Sequence, residues 1–61
     1  MNSQQEKILF EQYQWVYDFI GRFWLAPDGT RITQDQLMDI SATPEGDMAM
    51  MRIIIERGKR Q

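Results

Sequence analysis

Cysteine and histidine are both missing from the 61-residue chain. Without cysteine there are no disulfide staples, and without either residue a structural zinc site loses its usual ligands. The common nucleophile–base pairings go with them. Catalysis would have to rest on Ser, Lys, Tyr and carboxylates, which form no recognisable set here, so neither catalytic residues nor a metal or cofactor is expected. Long hydrophobic runs are also missing. Lys7, Glu11, Asp18 and Arg22 interrupt the most apolar region before it reaches the roughly 18 residues of a membrane span. The opening MNSQQEK has no basic stretch followed by an apolar core, so no secretory signal is expected and the cytoplasm is the default location. Positive charge is short as well. The net charge of −2 supplies no field for non-specific nucleic-acid binding, although Arg52, Arg57, Lys59 and Arg60 gather near the end.

What remains is apolar and aromatic. Two Trp, three Phe, two Tyr and five Met in so short a chain are ample for a folded core. A single domain over residues 1–61 lies near the size at which one core barely offsets chain entropy, and with other staples gone oligomerisation is the expected supplement.

From Ser3 to Leu25 the chain holds one Gly and no Pro. Ser3 reads as a helix N-cap, with Glu6 completing a capping box. Leu9, Tyr13, Val16, Ile20 and Phe23 follow steps of four and three, Ile8, Trp15 and Phe19 lie alongside, and Phe10, Tyr17 and Trp24 recur every seven residues. The periodicity predicts a helix over about 4–25, ending at Ala26-Pro27-Asp28-Gly29. Thr33 caps a short helix over 34–40. Thr43 followed by Pro44 opens a third over 44–57, with Met48, Met51 and Ile55 on its packing face, Met50 and Ile54 beside them, and Gly58 as its stop. The fold class expected is all-α, a hairpin of long first and last helices with a short middle helix. A β-hairpin is the rival reading, with Phe23-Trp24-Leu25 pairing Thr30-Arg31-Ile32 across Pro27-Asp28-Gly29. The helical period competes for the same residues, and an isolated ribbon is marginal in water.

A helix of about 33 Å carries more apolar surface than a last helix of about 20 Å covers. Homodimerisation through Trp15, Phe19, Phe23 and Trp24 is therefore expected, because aromatics dominate interface energetics. Asp35 and Asp39, at i and i+4, read as a solvated face.

Two resemblances add to this. Thr33, Gln34, Leu37, Ile55, Glu56, Arg57 and Gly58 resemble the helix-turn-helix of repressor-type DNA-binding proteins, which implies phosphate contacts by Arg52, Arg57, Lys59 and Arg60. In departure from that pattern, Met and Ile stand where base-reading polar groups belong. The whole chain, through stretches such as EQYQWVYDFIGRFW and ISATPEGDMAMM, also resembles the very small early-region proteins of lambdoid bacteriophages. That likeness implies a regulator or adaptor acting by contact with a host or regulatory protein, in the host cytoplasm.

Overall fold

The computed structural model describes residues 2–60. Its elements in chain order are α1 (Ser3–Gln12), β1 (Val16–Asp18), β2 (Phe23–Leu25), β3 (Arg31–Thr33), α2 (Gln34–Ile40) and α3 (Pro44–Arg57). Three helices and a three-stranded antiparallel sheet in the order β1-β2-β3 make an α+β fold. The expected all-α hairpin is thereby corrected. Its long first helix ends at Gln12, and the rest of the stretch once read as helix forms two strands.

Helix α1 starts one residue earlier than the sequence signal placed it. Asn2 is the N-cap, its side chain accepting from the Gln5 N–H while the Gln5 side chain accepts from the Asn2 N–H. The helix stops without proline or glycine. The Trp15 N–H donates to the Phe10 carbonyl at 2.9 Å and the Gln14 N–H to that of Glu11 at 3.1 Å, with Gln14 left-handed at φ 65°. This is a Schellman closure, and its characteristic apolar contact is the edge-on pair of Phe10 and Trp15, ring centres 5.1 Å apart. Burial of both rings favours reversal of the chain over another helical turn.

The reversed chain enters β1. Strand β1 pairs with β2 through Val16–Leu25, Tyr17–Trp24 and Asp18–Phe23, and β2 with β3 through Phe23–Thr33, Trp24–Ile32 and Leu25–Arg31. Each strand is three residues long, so the sheet turns one row inward: Tyr17, Trp24 and Ile32, half-buried, buried and buried. The second hairpin joins the segments named in the rival reading, with Thr33 rather than Thr30 closing the pairing. Its turn places Pro27 after Ala26, the Gly29 N–H donates to the Ala26 carbonyl, and Gly29 takes φ 92°, a conformation that favours glycine.

Helices α2 and α3 occupy the residues expected. Thr33 and Thr43 cap them, accepting from the N–H groups of Gln36 and Gly46. A Cβ on Gly46 would collide with the Ile40 carbonyl, so glycine lets α3 begin directly against the end of α2. The buried residues are Phe10, Trp15, Trp24, Ala26, Ile32, Leu37, Met50 and Ile54. Each large apolar side chain removed from water contributes about 1.5–3 kcal/mol, so this single cluster carries the fold. On α3 the core face is Met50 and Ile54, and the expected packing face of Met48, Met51 and Ile55 points to solvent. The side-chain N–H of Trp15 donates to the Ile54 carbonyl at 3.0 Å, and the Lys59 N–H donates to the Tyr13 carbonyl, so both bonds fasten the end of α3 to the end of α1.

Candidate protein-contact surface

Between Asp18 and Phe23 the chain turns through Phe19, Ile20, Gly21 and Arg22. The turn is held from inside. The Asp18 carboxylate accepts the Gly21 N–H at 2.7 Å, and the Asp18 carbonyl accepts the Arg22 N–H at 2.8 Å. Arg22 sits at φ 57°, and its own carbonyl accepts the Gln34 N–H at 2.9 Å, which fixes the turn to the start of α2. On this braced tip Phe19 and Ile20 are 84% and 99% exposed. Val16, 67% exposed, extends the apolar surface along the outer edge of β1.

An aromatic series connects the tip to the core. Phe10 stacks on Trp24 with ring centres 4.4 Å apart and planes 5° from parallel. Tyr17 lies 5.1 Å from Trp24, and Phe19 stands edge-on to Tyr17 at 5.0 Å. Offset and edge-on pairs each add about 0.5–1.5 kcal/mol beyond burial, so Phe19 is oriented although water reaches it. Clefts of about 270 and 320 Å³ open beside Phe19, and both are lined by Lys7, Tyr17, Phe19 and Trp24.

The residues expected at the interface separate here. Trp15 and Trp24, 2% and 8% exposed, are core residues of the chain itself. Phe23 is half-buried on the outer sheet face beneath the Arg31 guanidinium, 4.9 Å from its ring centre. Phe19 alone of the four stands at the surface. Ile20 and Val16 fit the helical stripe that the periodicity predicts, but α1 ends at Gln12, before either of them. Asp18 three residues before Gly21 was the available turn signal.

The basic residues near the end, Arg52, Arg57, Lys59 and Arg60, are all exposed, and Arg57 also pairs with Asp28 at 3.6 Å. Hydrogen bonds from the Thr30 side chain and N–H, and more weakly Arg57, hold the Asp28 carboxyl below its ordinary value. At the other end of α3, burial and then the Asp47 carboxylate push the Glu6 carboxyl up. Asp35 and Asp39 are exposed on α2. Among the described residues no cluster of three or more carboxylates forms a metal-binding set, and no helix is long and apolar enough to cross a membrane.

No protein-family profile matches the chain, and neither the curated proteins nor the solved structures contain a significant match.

Proposed function

We propose that the chain is a non-enzymatic protein-binding module, a regulator or adaptor that meets its partner through the β1–β2 tip. The observation that carries this reading is the near-complete exposure of Phe19 and Ile20 on a turn braced by Asp18 and by the link to Gln34. Exposed apolar side chains are ordinary when scattered, but here two adjacent ones stand on an ordered tip, and the edge contact of Phe19 with Tyr17 leaves most of both side chains in water. A fixed tip also loses little entropy on docking. The matching site is a shallow apolar pocket. The likeness of the sequence to small phage early-region proteins adds a setting, a regulator at work in the cytoplasm of a bacterial host.

The test compares affinity capture by the wild type with capture by Phe19→Ser plus Ile20→Ser. A partner retained by the first and lost by the second, with both proteins melting alike, is the expected result. The same partners at the same yield on both would overturn the reading.

A second reading, a DNA-binding regulator, draws on the three-residue turn that joins α2 to α3 in helix-turn-helix fashion. Chemistry weighs against it. A recognition helix reads bases with its N-terminal residues, where α3 carries Glu45 and Asp47. Its exposed face then offers Met48, Met51 and Ile55 in place of hydrogen-bonding groups. Duplex binding that weakens steeply with salt would reinstate this reading.

A further inference from the structure

Helix α3 is apolar on two adjoining sides. Met50 and Ile54 are wholly buried on one, while Met48, Met51 and Ile55 stand on the other at 67%, 37% and 44% exposure. Residues that a helix turns to water in a soluble fold are normally polar. These three residues instead follow i, i+3, i+7, the spacing along which one helix lies on another. The apolar strip widens toward α1, where Ile8 and Met51 line a groove of about 420 Å³ with Leu9, Gln5, Gln12 and Asp47. From Met48 to Ile55 the strip rises about 10.5 Å, half of the roughly 21 Å of α3 and under half of the molecule's 26 Å.

The charges flanking the strip are unevenly spread along it. Glu45 is exposed in the first turn of α3, Arg52 beyond the middle, and Arg57, Lys59 and Arg60 at and just past the end, with exposed Glu56 as an acid among them, so the end is basic on balance. Such a surface complements itself when one copy is reversed, because the acidic beginning then meets the basic end. Antiparallel helices also set their dipoles in opposition.

We propose that Met48, Met51 and Ile55 seat a second copy of this chain, the two α3 helices packing antiparallel about a two-fold axis near Met51 and Arg52. In that register Met48 faces Ile55 of the second copy, Met51 lies close to its own equivalent, and Glu45 reaches the Gly58–Lys59 end of the second copy; Arg52 also comes near its own equivalent, a like-charge contact at the margin of the strip that opposes the pairing. Two-fold pairing of identical surfaces is the commonest closed assembly. A standard interface covers about 800 Å² per partner, roughly a sixth of the 4605 Å² exposed by one copy. This inference does not rest on the hairpin-tip reading, since Phe19 and Ile20 belong to another element.

Sedimentation equilibrium on the whole chain over a wide concentration range tests it. The expected mass rises from 7.3 kDa toward twice that value, and Met48→Glu plus Ile55→Glu holds it at the lower one with helicity retained. Glu45→Lys should weaken association several-fold, and adding Lys59→Glu should restore it, which a merely structural role would not do. Because the chain has no cysteine, oxidative cross-linking maps the register directly. Met51→Cys should couple to itself, whereas Met48→Cys should couple to Ile55→Cys in a mixture far better than to itself. A monomer mass at every concentration overturns the proposal. Self-coupling of Met48→Cys as fast as that of Met51→Cys overturns it too, as does Glu45→Lys without effect. The tip double variant should associate like wild type, so failure of one reading leaves the other standing.

Discussion

Trp15 shows how much one side chain does at this size. It closes α1 against Phe10, fills the core, and donates its only side-chain N–H to Ile54 across 39 residues of sequence. Trp15→Phe keeps a ring and deletes the donor, leaving both a small void and a carbonyl with one partner fewer. The expected loss is about 2 kcal/mol in urea unfolding, built from an unmade buried hydrogen bond and lost volume. Glu6 works in the other direction. Its raised carboxyl means the folded chain binds its proton more tightly than the unfolded chain, so ionisation costs stability as pH rises through the raised value. Glu6→Gln should therefore raise the melting temperature at neutral pH. The gain should fade below about pH 4, where the carboxyl is protonated in both states. Water still reaches Glu6, which keeps the gain small.

Among the elements, those with a chemical signature at their ends were legible and those without were not. Thr33 ahead of α2, and Thr43-Pro44 ahead of α3, are capping chemistry with little other meaning, and both helices begin where those residues place them. The end of α1 has no such mark, because Gln14 takes the left-handed conformation usually given to glycine. Placing glycine there relieves that strain at a smaller entropic cost. Gln14→Gly is thus expected to stabilise the fold by about 0.5–1 kcal/mol in chemical denaturation. Strands of three residues each give one inward side chain, too few to show alternation, and Tyr17 and Trp24 happen to sit seven residues apart, which reads as helix. The same ambiguity hid the proposed contact surface. Val16, Phe19 and Ile20 fit a helical stripe, and only the turn from Asp18 to Gly21 contradicts it. On α3 two apolar rows run side by side, and the periodicity does not say which of them α1 and the sheet cover.

At the scale of the molecule, a single cluster of eight buried residues holds the chain together, so binding of any kind adds a large fraction to its stability. If α3 pairs with a second copy, the melting temperature should climb with protein concentration in the wild type and stay constant in Met48→Glu plus Ile55→Glu, as differential scanning calorimetry would show. The radius of gyration of 10.5 Å equals the value of about 10.5 Å expected for a compact domain of this length. Contacts with other molecules must therefore come from surface relief. The fold presents two such places on different elements, a tip on the sheet and a strip on α3, and so has room for a twin and an outside partner together.

The aromatic series from Phe10 to Phe19 also has an optical consequence. The two indoles of this protein are placed differently: Trp15 is sealed against Ile54, while Trp24 is two ring contacts from the exposed Phe19. Whatever settles on the tip alters the surroundings of Trp24 through Tyr17 and the clefts beside Phe19, and those of Trp15 through the cleft it shares with Phe19. Indole emission therefore reports occupancy of the proposed contact surface without an attached dye.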